Sequence, residues 1–333
     1  MRPDRNNSRD YNPVLHHARR LPGAVCADAR SIQSDRHTIS TSGKRRSHSD
    51  QKREVPHHGW PDSSWIHRHP HKHFCHPFKS TGRIALFQCQ GLLNAGFAVF
   101  AFDFRNHGES ETDPRYQSIH WLSQYELNDT RSAIQYLRTQ PELSELPLGM
   151  LGMSRGAGTA LAVAAKDPEI QFVACEGAFL NEELFLDHAI RWGERFLPPL
   201  FIQIVPTSEV IRAFRIMIWY SQRRQGCRYI NLKPRVKGLK NRNLLFFTGE
   251  KDQSVVPRMT QLIVKRIPDA HITVCSLPGA IHNAGRFAQL EKFDSTLIDF
   301  FSRMVESSSP VKELEFSKRM TAPVDPLSSK RSA

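Results

Sequence analysis

A short motif at residues 152–156 reads Gly-Met-Ser-Arg-Gly and lies between an apolar run and a stretch of small residues. The apolar run, 146–151, predicts a buried strand, and the small residues at 157–165 predict a helix. A chain that turns from strand to helix so sharply needs glycines, because a side chain at either position would collide with the adjoining strand or helix. The motif therefore predicts a strand–turn–helix unit that presents Ser154 as a candidate nucleophile.

Two segments downstream supply partners for this serine. A serine hydroxyl alone is a weak nucleophile, so a base must accept its proton and a third group must orient the base. The apolar runs 244–248 and 272–277 predict buried parallel strands, and they are followed by Asp252 and His282, respectively. We interpret Asp252 as the orienting acid and His282 as the base. Glu176, which follows another apolar run, is the alternative acid and ranks behind Asp252.

Residues from about 84 to 304 resemble the α/β-hydrolase superfamily. The chain order Ser154, Asp252, His282 is the order of that family, and residues 103–110, Asp-Phe-Arg-Asn-His-Gly-Glu-Ser, resemble its fourth strand and the following loop. The resemblance is to the serine-hydrolase group that includes lysophospholipase-like, thioesterase-like and serine aminopeptidase-like enzymes. It implies an α/β-hydrolase fold with a helical cap over the site.

Helical and strand-like segments alternate after residue 84, which predicts a mainly parallel sheet with helices on both faces. The alternation lapses between 180 and 239, where apolar residues at 210–218 recur at helical spacing beside several arginines. We interpret residues 81–304 as the hydrolase domain and about 180–239 as its cap insertion. An apolar cap of this kind would line a substrate pocket, and its basic amphipathic helix would permit peripheral contact with a membrane.

The first 80 residues differ in composition from the rest of the chain. They hold eleven of the sixteen histidines and no strand-like apolar run. Such a segment cannot bury enough surface to offset its chain entropy, so it is predicted to be disordered and the fold's N-terminal strands to be missing. Histidines at 67–76 are suitable metal ligands, but without a folded frame they predict no metal site. Residues 305–333 are predicted to be a disordered tail.

An acyl-transfer site also needs N–H donors for the oxyanion. The resemblance implies that one donor is the backbone N–H of Arg155 and that the second comes from a loop after the third strand, often beginning His-Gly. Gly59 and Trp60 follow a histidine and resemble that loop. No apolar strand precedes them, which leaves the source of the second donor open.

The formal net charge of +13 is unevenly distributed. Residues 1–80 carry fifteen Lys and Arg against seven Asp and Glu, so most of the excess lies outside the hydrolase-like region, and no nucleic-acid partner is predicted. No apolar run has the length of a membrane span, and the N-terminus lacks the apolar segment of a secretory signal. Six cysteines without a Cys-x-x-Cys pair favour reduced thiols and a cytoplasmic setting.

Together these features predict a serine hydrolase that cleaves a small-molecule carboxylic ester or thioester through an acyl-enzyme, with no metal or organic cofactor. A peptidase or acyltransferase on the same fold stays open. So does a non-catalytic binding protein, which an incomplete oxyanion hole would favour. The sequence does not specify the acyl length, the leaving group or the oligomeric state.

Overall fold

The structure is a computed structural model that describes residues 24–26, 71–141, 143–198 and 204–308. Within these ranges it has seven strands: β1 Ala24–Cys26, β2 His71–Cys75, β3 Ala98–Ala101, β4 Leu148–Met153, β5 Phe172–Glu176, β6 Asn243–Gly249 and β7 His271–Leu277. They form one sheet in the order β1-β3-β2-β4-β5-β6-β7, and every neighbouring pair is parallel. Because parallel neighbours require crossover connections, helices must lie between the strands.

The described helices are α1 Ala85–Gln88, α2 Gln90–Asn94, α3 Gln124–Thr139, α4 Arg155–Ala164, α5 Asn181–Phe196, α6 Thr207–Arg224, α7 Leu232–Arg235, α8 Pro257–Val264, α9 Gly285–Ala288 and α10 Leu290–Ser308. Short 3₁₀ helices occupy Gly82–Ile84 and Val236–Leu239. Helix α3 begins with a capping box, in which the Ser123 side chain accepts from the Tyr125 N–H and Glu126 accepts from the Ser123 N–H.

Helices cover the sheet on both faces, as predicted. Alternate residues of β6 show this arrangement: Leu244 and Phe246 belong to one buried core, and Leu245 and Phe247 belong to the other. The first core includes α3, α4 and α8, and the second includes α1, α2 and α10. Burial from both sides explains why β4, β5 and β6 appear in the sequence as continuous apolar runs.

Strand β2 corrects the prediction for the first 80 residues. It lies between β3 and β4, with His71 opposite both Ala98 and Leu148, and β1 extends the sheet beyond β3. The prediction that these residues are disordered and that the N-terminal strands are missing is therefore wrong for β1 and β2. A truncation that begins near residue 80 would remove an interior strand. Residues 1–23 and 27–70 lie outside the described residues.

The reason for the error is the burial of two polar side chains. Lys72 and His73 are both fully buried, although neither belongs to an apolar pattern. The Lys72 ammonium lies 4.8 Å and 4.5 Å from the ring centroids of Phe97 and Phe301, and it donates to the Met304 sulfur at 3.7 Å. Burial holds the pKa of Lys72 well below its usual range.

His73 packs its ring against Phe100 and Phe102, with centroid separations of 5.6 Å and 5.2 Å. Neither ring nitrogen has a hydrogen-bond partner among the described residues. Burial lowers the pKa of His73 from 6.5 to about 3, so the ring is neutral in the folded protein. Strand β2 therefore makes a smaller net contribution to stability than an apolar strand at the same position.

We expect His73→Phe to remove an acid sensitivity of the fold. In the unfolded chain His73 is protonated below pH 6.5, whereas in the folded protein it stays neutral down to about pH 3, so acid favours unfolding across this window. The stability of the wild type relative to His73→Phe should fall by about 1.4 kcal/mol per pH unit below that upper limit. Urea unfolding of both proteins at neutral and acidic pH measures this difference. Parallel stability curves would contradict the assignment.

The predicted cap region contains a pair of helices, α5 and α6, followed by α7. The rings of Phe185 and Phe214 stack with centroids 4.4 Å apart, and Arg215 donates to Glu182 at 2.7 Å. At the other end of the chain, α10 continues to Ser308, so the predicted boundary of the C-terminal tail is wrong by a few residues. No helix in the described ranges is long and apolar enough to cross a membrane.

Candidate active site

Ser154 occupies the turn between β4 and α4. Its backbone has φ 52° and ψ −116°, and residues other than glycine rarely adopt a positive φ. The Ser154 N–H donates to the Glu176 carbonyl at 2.8 Å, which holds the turn to β5. A Cβ added to Gly152 would lie 2.4 Å from the Gly156 carbonyl oxygen, and one added to Gly156 would lie 2.1 Å from that of Cys75. Both flanking positions therefore require glycine, as the motif predicts.

Asp252 and His282 lie on the loops that follow β6 and β7. His282 Nε2 is 2.9 Å from the Ser154 hydroxyl oxygen, and His282 Nδ1 is 2.7 Å from an Asp252 carboxylate oxygen. A carboxylate beside Nδ1 places the proton on that nitrogen, so Nε2 is free to accept from the serine hydroxyl. The structure thus brings the three predicted residues into one hydrogen-bonded chain.

The Asp252 carboxylate is buried and held from both sides. Its second oxygen accepts the N–H groups of Ser254 at 2.9 Å and Val255 at 2.7 Å. Asp252 is not the cap of the following helix, because α8 has Val256 at its N-cap position with no side-chain cap bond. These two bonds hold the carboxylate in the orientation that receives the imidazole.

Glu176, the alternative acid, lies at the end of β5 and makes a different contact. Its carboxylate accepts the Gly285 N–H at 2.8 Å, which connects β5 to the segment that follows His282. Burial raises the pKa of Glu176 to about 7. In this geometry Glu176 supports the histidine loop, whereas Asp252 is the carboxylate bonded to the imidazole.

Arg155 directs its side chain away from the nucleophile into a buried polar network. The guanidinium donates to the Ile119 carbonyl at 3.0 Å and to Ser118, lies 3.1 Å from His107 Nε2, and is 3.4 Å from the Glu126 carboxylate. Its backbone N–H begins α4 and therefore has no acceptor within the helix. Sequence reasoning assigned Arg155 only this backbone role and missed the network that anchors the first turn of α4.

The loop after β2 lies beside the start of α4. A Cβ on Gly156 would collide with the carbonyl oxygens of Cys75 and His76, so the loop packs directly against the first turn of α4. His76 accepts the Phe104 N–H at 3.0 Å, and its other ring nitrogen is 2.8 Å from the Pro77 carbonyl oxygen. Burial lowers the pKa of His76 to about 3, so the neutral ring joins the loop to the chain after β3.

The loop after β2 therefore lies directly beside the nucleophile turn. Gly59 and Trp60, the candidates for the second oxyanion donor, lie outside the described residues. The sequence contained one signal for the observed loop, the pair His76-Pro77 directly before the segment that leads to β3. It was obscured because the strand before it contains two polar residues.

Helix α5 of the cap is attached to the loop that carries Asp252. His188 donates to the Ser254 carbonyl at 2.8 Å, and Arg191 donates to the Gln253 carbonyl at 2.7 Å. These bonds place the cap over the same edge of the sheet as the candidate site. Within the described ranges no group of three or more His, Cys, Asp or Glu side chains could hold a metal ion.

Comparison with known sequences identifies a matching family and several curated relatives. The serine aminopeptidase family, S33, matches residues 73–237. Protein bem46 of Schizosaccharomyces pombe is 24% identical over 186 residues, which cover 56% of this chain and 52% of bem46. Thiohydrolase aneE of Aspergillus aculeatus is 28% identical over 120 residues, covering 36% of this chain and 34% of aneE. The chain thus spans about half or less of the length of these curated relatives.

Solved structures share the fold. The esterase Pf2001 of Pyrococcus furiosus has a TM-score of 0.50 at 20% identity, over 71% of this chain and 82% of the esterase. Est1E of Butyrivibrio proteoclasticus, solved with ferulic acid bound, has a TM-score of 0.50 at 15% identity, over 71% of this chain and 90% of Est1E. The parallel sheet, the family match and these structural similarities agree, and the chain belongs to the α/β-hydrolase superfamily.

Proposed function

We propose that this protein is a serine hydrolase that cleaves a carboxylic ester or thioester through an acyl-enzyme. The observation that carries the proposal is the position of His282, whose two ring nitrogens contact the Ser154 hydroxyl and the Asp252 carboxylate at hydrogen-bond distance. A nucleophile, a base and an orienting acid in this geometry suit acyl transfer. No metal ion or organic cofactor is needed for these steps.

In the proposed reaction the Ser154 oxygen attacks the substrate carbonyl while His282 Nε2 takes the hydroxyl proton. Asp252 holds the imidazole in position and stabilises its positive charge. The leaving alcohol or thiol departs with the proton from His282, and the acyl group stays on Ser154. Water then attacks the acyl-enzyme by the same sequence of proton transfers, which releases the acid and restores the serine.

Two backbone N–H groups are proposed to hold the oxyanion that forms during both attacks. One belongs to Arg155, at the first position of α4. The loop after β2 is the proposed source of the second, and because Pro77 has no N–H, the nearest donor after His76 is Phe78. Proximity of this loop to Gly156 supports the assignment.

The relatives support the substrate class. One relative is named a thiohydrolase, aneE, and the family match is to serine aminopeptidases. We favour an ester or thioester because an alcohol or thiol leaves the tetrahedral intermediate more readily than an amine does.

A reducing, cytoplasmic setting is part of the proposal. The described cysteines, Cys75, Cys89, Cys175, Cys227 and Cys275, are free thiols. Burial raises the pKa of the Cys75 thiol to about 12, so it behaves as a packing residue and not as a reactive group.

Labelling with a fluorophosphonate probe tests the proposal without knowledge of the substrate. We expect stoichiometric modification of Ser154 in the wild type, because an activated serine reacts whatever its natural substrate is. Ser154→Ala should show no labelling at this site, and His282→Ala should label at least 10²-fold more slowly because its base is absent. Mass spectrometry locates the modified residue. A folded wild type that stays unlabelled would support a non-catalytic binding protein.

The same preparation distinguishes the substrate classes. Matched acyl substrates that differ only in the leaving group, an ester, a thioester and an anilide, report which bond is cleaved. Faster turnover of the anilide than of both others would replace the ester or thioester proposal with a peptidase. Transfer of the acyl group to an added alcohol in preference to water would indicate an acyltransferase.

A further inference from the structure

The outward side of helix α6 exposes large apolar side chains. Phe214 faces inward and is buried, which defines the inner side of the helix. Ile216, Trp219 and Tyr220 lie on the opposite side by helical geometry, and they are 61%, 55% and 58% exposed. A soluble surface rarely leaves aromatic side chains of this size uncovered on one helix face.

Arginines flank these side chains. On the outward side Arg212 lies one turn before Ile216, and Arg223 lies one turn after Trp219, with its guanidinium 4.9 Å from the Trp219 ring centroid. Glu209, which pairs with Arg212, is the acidic residue of this helix. We call Arg212, Ile216, Trp219, Tyr220 and Arg223 the cap surface.

The end of α5 repeats the same combination. Trp192 and Phe196 are both more than half exposed, with ring centroids 5.0 Å apart, and the Arg195 guanidinium lies 5.7 Å from the Phe196 ring. Exposed aromatic rings covered by arginine are therefore found on both helices of the cap. Arginine stems cover apolar surface while the charged head remains available for an anionic partner.

We propose that the cap surface docks on an anionic lipid bilayer. Trp and Tyr side chains favour the boundary between headgroups and acyl chains, and arginines beside them pair with anionic headgroups. The charge excludes two other occupants. The first 80 residues are themselves basic, and a second copy packed about a two-fold axis would bring arginines against arginines.

Docking through the cap surface has a consequence for the candidate site. Helix α5 is bonded to the loop that carries Asp252, through His188 and Arg191. A cap resting on a bilayer therefore brings the site edge of the sheet near the membrane. The docking proposal itself does not depend on hydrolysis, because lipid binding can be measured with Ser154→Ala.

Co-sedimentation of the full-length chain with vesicles tests the proposal. We expect at least tenfold stronger binding to vesicles with about 30% phosphatidylglycerol in phosphatidylcholine than to pure phosphatidylcholine. Raising the salt to about 0.5 M should weaken the binding, because the attraction to the headgroups is electrostatic. Equal binding to both compositions, or no binding to either, would overturn it.

Paired variants locate the contact. Trp219→Ala with Tyr220→Ala, and Arg212→Glu with Arg223→Glu, should each reduce binding to the anionic vesicles at least tenfold. The matched controls are Phe287→Ala, which removes a side chain that is 78% exposed outside the cap, and Arg303→Glu on α10. Both controls should bind within about twofold of the wild type.

Two further results would reject the proposal. If both paired variants bind the anionic vesicles as strongly as the wild type does, the contact lies elsewhere on the chain. If the wild type forms a dimer that the Arg212→Glu, Arg223→Glu protein does not form, the cap surface is an interface between copies. Thermal unfolding of each variant confirms that its loss of binding does not come from loss of fold.

Discussion

Asp252→Asn should lower the kcat of ester or thioester hydrolysis by about 10⁴-fold, which corresponds to about 5 kcal/mol of transition-state stabilisation. With its carbonyl oxygen on the Ser254 and Val255 N–H groups, the Asn side chain presents its N–H₂ to His282 Nδ1, which must then accept. The ring proton therefore moves to Nε2, which can no longer take the serine proton. The fold and the position of the loop that carries residue 252 should be preserved, because the Asn carbonyl still accepts from the Ser254 and Val255 N–H groups. Steady-state kinetics with a thermal melt measures both effects.

The matched control is Glu176→Gln. The Gln carbonyl can still accept the Gly285 N–H, so the loop that carries His282 should keep its position and kcat should fall by less than about tenfold. Near-complete loss of activity in Glu176→Gln, with activity retained in Asp252→Asn, would transfer the orienting role to Glu176. The two carboxylates lie in the same region, and this pair of variants separates their roles.

Lys72→Met should stabilise the fold by about 1–4 kcal/mol at neutral pH, by comparison with buried ion pairs that are replaced by apolar residues of similar volume. Lys72 is fully buried between Phe97 and Phe301, and a Met side chain would fill the same space without desolvating an amine. The cation–π contacts offset only part of that desolvation. A rise of about 3 °C in Tm for each kcal/mol is expected in differential scanning calorimetry.

The pH dependence of stability identifies the cause. Burial holds the pKa of folded Lys72 below 10.5, so the unfolded chain binds the extra proton and wild-type stability rises as the pH increases toward that value. The stability of Lys72→Met does not have this pH dependence, so the difference in stability between the variant and the wild type should become smaller at alkaline pH. Lys240→Met, an exposed lysine paired with Asp269, is the control and should change stability by less than about 0.5 kcal/mol. Equal shifts in both variants would contradict the assignment.

The elements that position the candidate site could be predicted because their signals are local. Strands β4 and β6 are apolar runs whose alternate residues enter the two cores, whereas the edge strand β7 buries only Cys275 and Leu277, in one core. Each of the three strands is followed by a residue of the candidate site. Carboxyl ends of parallel strands meet at one edge of a sheet. The order of Ser154, Asp252 and His282 in the chain and their places after strands were therefore sufficient to predict that the three residues lie close together.

The N-terminal part of the sheet could not be predicted in this way. Strand β2 has only Phe74 and Cys75 as apolar residues, and its Lys72 and His73 are buried at a cost in desolvation. Because the segment has no apolar run, its residue pattern predicts a solvent-exposed chain and not a strand. Its place in the sheet depends on pairing with β3 and β4, whose paired residues are 27 or more positions further along the chain.

Short-range patterns of apolar residues and glycine were enough to predict the turn at Ser154, the order of the three candidate site residues and the parallel sheet with helices on both faces. The folded chain was needed to show which carboxylate bonds His282, why Arg155 has a buried guanidinium, and which loop lies beside the serine. These features depend on contacts between residues distant in the chain, such as Arg155 with His107 and Glu126, and on the burial of polar groups whose partners no local pattern identifies.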